Sequence, residues 1–324
     1  MKTPSHSRTL LLAIASLTIT LVAKAGDYHA FKTLPIGGEG AYDYLTADAA
    51  SRRLYVSHST KVVVIDMDKN EVVGEIAETP GVHGIAIAPD LKRGFTSNGR
   101  ESKVSLFDLE TFKTEMKVGT GANPDAILYE PSQHEVYTFN GRGLSATVLE
   151  AKSGKTIATI PLSGKPEFAV ADTKAGLIYC NIEDKNSIAV IDSRTHKVVH
   201  DWPIAPGAEA TGMAIDLEHK RLFIGCHNKL MAMIDATSGK VIATVPIEGG
   251  VDATAFDASS QLVFSSNGEG TVTIAHEDSP NAFHVVQTLK TERGARTLAL
   301  DEKTHRIYLA VGSGAAFKVI SYGP

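Results

Sequence analysis

Hydrophobic residues recur along this chain in short strand-like runs separated by polar or glycine-containing turns. Residues 53–66, RLYVSHSTKVVVID, show the unit clearly. Residues 54–57 and 62–65 are rich in β-branched and aromatic side chains, and a polar turn joins them. This pattern predicts a β-hairpin.

The hairpin repeats at nearly constant spacing. Alignment on Asp66 gives successive steps of 42, 42, 42, 43 and 41 residues, at Asp108, Glu150, Asp192, Asp235 and His276. Each repeat contains four predicted strands, and the innermost strands start near residues 42, 83, 125, 167, 211, 252 and 296. The repeats predict an all-β fold, a seven-bladed β-propeller of four-stranded antiparallel blades, within a single domain of residues 26–324.

The ends of the chain predict how the ring closes. The seventh repeat stops at Pro324 without its fourth strand, whereas residues 28–37, YHAFKTLPIG, form a strand-like segment with no neighbouring partner. We therefore expect the N-terminal strand to complete the last blade, which leaves no unpaired edge at the seam.

Residues 1–25 have the pattern of a cleaved signal peptide. Lys2 and Arg8 precede an apolar run at residues 10–22, and Ala23, Lys24 and Ala25 form a small-x-small cleavage motif. The run is too short to span a bilayer comfortably. We expect a periplasmic or secreted protein that is not inserted in a membrane.

The net charge of the chain narrows the classes of partner that it is expected to bind. The formal net charge of −5 becomes −8 after residues 1–25 are removed, with 29 Lys and Arg against 37 Asp and Glu, so nucleic acid is not an expected partner.

Cys180 and Cys226 occupy equivalent strands of neighbouring repeats and point the same way round the ring. We expect two buried free thiols instead of a disulfide.

Three motifs resemble a known family: LYVSH at residues 54–58, VYTFN at 136–140 and TSGKVIATVP at 237–246 are similar to the YVTN-repeat (YncE-like) propellers. The resemblance covers essentially the whole mature chain. It implies the propeller fold and an exported binding protein, although related propellers include lactonases and amine dehydrogenase subunits. The sequence departs from the motif where Ile182, Cys226 and Val311 replace its asparagine.

Antiparallel connectivity predicts which polar residues share a face. The start of each innermost strand lies beside the end of the next strand, so one face of the disc, here called the channel mouth, collects both sets. We expect a ligand site there because the inner ring varies in type from blade to blade. The inner ring is Asp43, His83, Asp125, Glu167, Thr211, Asp252 and Arg296, and the outer candidates are His58, Arg100, Arg142 and His227.

The opposite face carries residues that the repeat itself explains. Recurrent acids follow the innermost strand, and we expect them to accept backbone N–H bonds in the turns. These acids are Asp48, Asp172, Asp216, Asp257 and Asp301, and the nearby turn histidines are His134, His219 and His305.

Two classes of function remain open on these residues. The first is a monomeric, non-enzymatic binding or scaffold protein that takes a small ligand, peptide or protein partner at the mouth, without cofactor or metal. The alternative is an enzyme of lactonase or lyase type, with His83 as base and Arg296 or Arg100 neutralising an oxyanion. A metal bound by His58, His83 and an acid is a further alternative, although the sequence has no HxH, HExxH or CxxC spacing.

Overall fold

Residues 27–324 are described by a computed structural model, and they form 28 strands and three short 3-10 helices. The predicted signal peptide, residues 1–25, lies outside the described residues. Within residues 27–324, no helix is long and apolar enough to cross a membrane. The 3-10 helices are Pro89–Leu91, Glu183–Lys185 and Gly314–Ala316.

The strands form seven four-stranded antiparallel sheets, the blades. The chain starts with β1 (His29–Pro35) and continues into blade 1. Blade 1 contains β2 (Tyr42–Asp48), β3 (Arg53–His58), β4 (Lys61–Asp66) and β5 (Glu71–Ile76). Blade 2 contains β6 (Val82–Ala88), β7 (Arg93–Asn98), β8 (Lys103–Asp108) and β9 (Thr114–Gly119). Blade 3 contains β10 (Pro124–Glu130), β11 (Glu135–Asn140), β12 (Ser145–Glu150) and β13 (Thr156–Pro161).

The second half of the chain repeats this plan. Blade 4 contains β14 (Pro166–Asp172), β15 (Leu177–Ile182), β16 (Ser187–Asp192) and β17 (Lys197–Pro203). Blade 5 contains β18 (Ala210–Asp216), β19 (Arg221–Cys226), β20 (Leu230–Asp235) and β21 (Val241–Pro246). Blade 6 contains β22 (Val251–Asp257), β23 (Leu262–Asn267), β24 (Thr271–Ser279) and β25 (Ala282–Lys290). Blade 7 contains β26 (Leu298–Asp301), β27 (Arg306–Val311), β28 (Lys318–Gly323) and β1.

The N-terminal strand closes the ring as predicted. Strand β1 pairs antiparallel with β28, so blade 7 has the order β1-β28-β27-β26. The innermost strands of successive blades contact one another in order, and β26 contacts β2. Tyr28 anchors the seam: it is buried, its ring centroid lies 5.2 Å from that of Phe264, and its hydroxyl donates to His305 O at 2.6 Å. The predicted fold class is confirmed.

Hydrophobic clusters between neighbouring blades form the core. Tyr55 of blade 1 and Phe107 of blade 2, for example, are both buried in one cluster. Cys180 and Cys226 are buried and unpaired in two such clusters, as predicted. Burial raises the pKa of Cys226 to about 12, which keeps this thiol protonated.

The recurrent turn acids accept backbone N–H bonds, which confirms their predicted role. Asp48 accepts from Ser51 N at 3.1 Å, and the four other acids accept equivalent bonds. Some also receive a cation from the next blade, as Asp301 does from Arg52 at 2.8 Å. The face opposite the mouth is therefore held together by short-range polar contacts between blades.

Candidate ligand site at the channel mouth

Strand pairing and a repeated bulge position the residues of the mouth. Tyr42 pairs with His58 and Val82 pairs with Asn98, so the start of each innermost strand meets the end of the next. In blades 1–6 the register shifts directly after this first pair. A β-bulge re-aims side chains, and this one lies where the inner-ring residues occur.

The inner ring is joined by a chain of close ionic contacts. His83 Nδ1 lies 2.5 Å from Asp43 Oδ2 and 3.7 Å from Asp125 Oδ1. Arg296 Nε lies 2.6 Å from Asp252 Oδ2, and its Nη2 lies 3.8 Å from Asp43 Oδ1. Side chains from blades 3, 2, 1, 7 and 6 therefore meet at the mouth.

Blades 4 and 5 complete the ring differently. Glu167 is buried, and Lys165 Nζ lies 2.6 Å from its Oε1 and 2.5 Å from Glu183 Oε2. Thr211 is also buried, and its hydroxyl donates to Val251 O at 2.9 Å. Thr211 therefore has a structural contact, whereas Glu167 adds an acid to the site.

Burial and mutual repulsion make Asp125, Asp252 and Glu167 hold protons more tightly than free carboxyls do. Burial, aided by Asp43, raises the pKa of both Asp125 and Asp252 to about 6, although nearby cations oppose the shift. Burial and the charge of Asp125 raise the pKa of Glu167 to about 8, against the opposing effect of Lys165. Each of these carboxyls therefore keeps its proton to a higher pH than a free carboxyl does, and the negative charge of the site grows as the pH rises through these values.

The contact with Asp43 shifts the proton affinity of His83 upward. Burial lowers the pKa of His83, but the hydrogen bond to Asp43 and the charges of Asp125, Asp43 and Glu167 outweigh burial, so the net shift is upward. A Cβ at Gly99 would lie 2.6 Å from His83 Nε2, so the glycine lets the neighbouring loop pack against the imidazole. These contacts therefore fix the position of the His83 ring and favour its charged form.

Two aromatic rings close the channel beneath the acids. The centroids of Tyr44 and Phe168 lie 5.3 Å apart in an edge-to-face arrangement. These residues belong to blades 1 and 4, which are not neighbours, so the contact crosses the channel. Burial raises the pKa of Tyr44 well above its ordinary value, and the charges of Asp125, Asp252, Asp43 and Glu167 raise it further. The four acids therefore surround this phenol.

The sequence did not identify this aromatic floor, although it contains a signal for it. Tyr44 and Phe168 each directly follow an inner-ring residue. At that position the other five blades have small side chains: Gly84, Ala126, Gly212, Ala253 and Thr297. Two aromatic residues among small ones at one repeat position indicate a feature that the fold alone does not require.

The outer candidates do not all join the site. His58 is buried, with its ring stacked on Phe317 at 4.1 Å between centroids, and burial, aided by Lys61, lowers its pKa. Arg100 and Arg142 are exposed and have no ion pair within residues 27–324. His227 lies at the rim, where Nε2 is 3.1 Å from Val251 O and Nδ1 is 3.9 Å from Glu209.

The structure also changes which residues could hold a metal. The sequence predicted no metal site, and the alternative set of His58, His83 and an acid is not among the donor clusters of the described residues, since His58 packs against the loop at Gly38. Instead, one donor atom each from Asp43, His83 and Asp125 lies within 4.8 Å of the others. The mouth could therefore accommodate a small cation at these three residues.

The fold and this site define the class of the protein: a seven-bladed β-propeller with an acidic, aromatic-floored mouth. No family model matches the chain. Hydrazine synthase of Kuenenia stuttgartiensis is similar in fold, with a TM-score of 0.75 and 16% identity over 85% of this chain and 94% of that chain. At this identity the likeness shows the fold alone.

One sequence match is partial. The chain is 26% identical over 128 residues to "SMY2 homolog 2" of Saccharomyces cerevisiae (strain ATCC 204508 / S288c). This segment is 39% of the present chain, and the match spans only 15% of the yeast protein's length.

Proposed function

We propose that the protein is an exported, non-enzymatic binding propeller whose channel mouth binds a small organic cation, an amine or guanidinium borne by a small molecule or peptide. The observation that carries the proposal is the convergence of four largely buried acids from four blades above an aromatic floor. These acids are Asp43, Asp125, Glu167 and Asp252.

Arg296 illustrates the chemistry that the mouth accepts. Its guanidinium lies between Asp252 and Asp43, and its Cζ is 5.9 Å from the centroid of the Tyr42 ring. Carboxylates beside aromatic rings are the surroundings that organic cations prefer, because the faces of the rings also attract positive charge. Asp125 lies 3.7 Å from His83 Nδ1 and Glu167 lies 2.6 Å from Lys165 Nζ, so a bound amine or guanidinium would share or displace these contacts.

The pairing of His83 with an acid also bears on the lactonase or lyase alternative. A His–acid pair is what that alternative requires, and His83 and Asp43 form one. A general base must be unprotonated to accept a proton from water. The upward shift makes the imidazole of His83 a stronger base that also keeps its proton to a higher pH, so support for the binding proposal comes from the acids of the mouth and not from this pair.

We further propose that the chain is a YVTN-type propeller that is exported and functions in the periplasm or outside the cell. The repeated motifs and the pattern of residues 1–25 support this proposal. Mass spectrometry of the protein recovered from cell fractions tests it, with a mature N-terminus at Gly26 as the expected result. An intact N-terminus in a cytoplasmic fraction would contradict export.

Calorimetric titration with benzylamine and benzyl alcohol at pH 8.5 tests the proposed ligand class. We expect benzylamine to bind and the uncharged alcohol not to bind. Asp125→Asn should weaken benzylamine binding about tenfold or more, because one lost ionic contact is worth at least about 1.4 kcal/mol here. His134→Ala, on the opposite face, is the matched control and should leave binding unchanged.

A second pair of measurements fixes the sign of the ligand's charge. Arg296→Ala removes a competing cation, so it should strengthen benzylamine binding, whereas an anion site would be weakened. Separate titrations with Zn²⁺ and Mg²⁺ test whether the mouth binds a metal ion instead of an amine. Equal binding of the alcohol, loss of amine binding in Arg296→Ala, or binding of metal alone would overturn the proposal.

A further inference from the structure

A second cluster of ligand-type side chains lies on the face opposite the mouth, between blades 5 and 6. Asp216 ends β18, His219 lies in the turn that follows, and Glu277 lies in β24 of the next blade. One donor atom from each residue lies within 4.8 Å of the others. His219 Nδ1 is 2.6 Å from Asp216 Oδ2 and 3.6 Å from Glu277 Oε1.

Glu277 is a buried carboxylate whose ion pair among the described residues is the 3.6 Å contact with His219. Its exposed fraction is 2%, and neither carboxylate oxygen has a hydrogen-bond partner among the described residues. The nearby Arg221 is engaged elsewhere, because Nη1 lies 2.7 Å from Asp235 Oδ2 and Nε donates to Pro280 O. A buried carboxylate without hydrogen bonds is costly, so a partner is needed.

The donor atoms converge without satisfying one another. Although His219 Nδ1 and Asp216 Oδ2 are close, their angles do not fit a hydrogen bond, and both atoms lack a partner in the described part of the chain. The other oxygen of Asp216 accepts from Glu218 N at 2.8 Å, which fixes the carboxylate.

The repeat shows that the fold does not require Glu277. In six blades, the N–H at this position donates to the carbonyl of a turn residue with positive φ. Blades 1 to 5 place apolar or small side chains there: Met67, Leu109, Ala151, Ser193 and Ala236. Blade 6 alone among these six places a carboxylate at this buried position.

His219 is also an exception to the repeat. At its turn position, blades 1, 6 and 7 have a hydroxyl that donates to the turn acid, as Ser51 does to Asp48 at 2.7 Å and Ser260 does to Asp257 at 2.7 Å. His134 and His305 occupy the following, positive-φ position, so His219 is not their equivalent. Two independent departures from the repeat therefore meet at one junction.

We propose that Asp216, His219 and Glu277 bind a divalent transition-metal ion such as Zn²⁺ and thereby link blades 5 and 6. Two carboxylates and one imidazole are the donor types that Zn²⁺ and similar borderline ions accept. The side chain of His219 is 30% exposed, which gives the ion a route from solvent and leaves a coordination position open to water. This site is separate from the mouth and does not depend on the function proposed there.

Titration of EDTA-treated protein with Zn²⁺ tests the site. The His83→Ala background removes the histidine donor of the mouth cluster, and Ca²⁺ is titrated in parallel. We expect one Zn²⁺ per chain and a rise in melting temperature of roughly 5 °C at a hundredfold excess over Kd. Glu277→Met and His219→Ser install the residues of blades with no such cluster, and each should abolish the shift.

Two further measurements separate loss of metal binding from loss of folding in these variants. Without metal, Glu277→Met should melt at the same or a higher temperature than its parent, because a buried carboxylate without hydrogen bonds is removed. Co²⁺ should give visible absorption that His219→Ser alters. Glu218→Gln, exposed and adjacent, is the control and should bind as the parent does. Failure of Zn²⁺ to bind, or unchanged stoichiometry and affinity in both site variants, would overturn the proposal, and stronger binding of Ca²⁺ than of Zn²⁺ would overturn the assigned metal class.

Discussion

The rings of Tyr44 and Phe168 meet across the central channel at 5.3 Å between centroids, although they belong to blades 1 and 4. Other close packing in a propeller joins neighbouring blades, as in the inter-blade clusters. This pair instead connects distant sectors of the ring and separates the acidic mouth from the rest of the channel. It is therefore both a contact across the ring and the floor of the proposed site.

Removal of the Tyr44 ring should cost both stability and binding. Tyr44→Ala should lower the free energy of unfolding by about 3 kcal/mol, as truncation of a buried aromatic residue does. Benzylamine should bind more weakly because the floor is lost. Tyr44→Phe keeps the ring and should change both quantities little. Urea unfolding and calorimetry measure the two effects, and an unaffected Tyr44→Ala would show that the contact carries no energy.

The stability of the protein should fall as the mouth loses protons. Burial and Asp125 raise the pKa of Glu167 from 4.5 to about 8, while Lys165 opposes the shift and Glu183 adds to it. The folded state then binds this proton more tightly than the unfolded state does. The resulting stability is fully present below about pH 4.5 and is lost as the pH rises through about 8.

Glu167→Gln checks this sign, because the amide cannot titrate. Urea unfolding at pH 5 and pH 8.5 should show the wild type losing at least about 1 kcal/mol more than the variant over this interval. Benzylamine should show the opposite trend in the wild type and bind more tightly at pH 8.5, since the carboxylates are then charged. If the free energy of unfolding changed with pH in the same way in the wild type and in Glu167→Gln, the raised pKa of Glu167 would be contradicted.

The seam of the ring should depend on Tyr28 more than on its exposed neighbours. Tyr28→Ala removes a buried ring and a hydrogen bond to His305 O, so a loss of about 3–5 kcal/mol is expected. Phe31→Ala is the matched control in the same segment. Phe31 is 45% exposed and Arg306 Cζ lies 3.7 Å from its ring centroid, so its removal should cost no more than about 1 kcal/mol. Equal losses of melting temperature in the two variants would show that the seam is not specifically anchored by Tyr28.

Much of the fold was predictable from the sequence because the same pattern of strands and turns recurs in every blade. The spacing of Asp66 and its counterparts predicted the blades, and the unpaired strand-like segment at residues 28–37 predicted how the ring closes. The residues at the mouth could be placed on one face because strand direction alone decides the face. His58 is buried instead of facing the mouth, since the exposure of a strand-end side chain depends on a loop, here the one containing Gly38.

The chemistry between blades was harder to predict. Contacts such as Tyr44 with Phe168, or His219 with Glu277, join residues that are 124 and 58 positions apart, and each is created by the curvature of the ring. What the sequence did contain were exceptions to its own repeat. An aromatic residue among small ones and a carboxylate among apolar ones both mark positions where the fold does not explain the residue.

The pairing of β1 with β28 also determines when the molecule can be completed. The two strands lie at opposite ends of the described chain, so a ribosome makes one partner almost at the start of the domain and the other at its close. Until the last strand emerges, blade 7 is unfinished and strand edges remain free to pair wrongly. Closure of the ring therefore requires the whole of residues 27–324 at once, so loss of either terminal strand should leave blade 7 with a free edge.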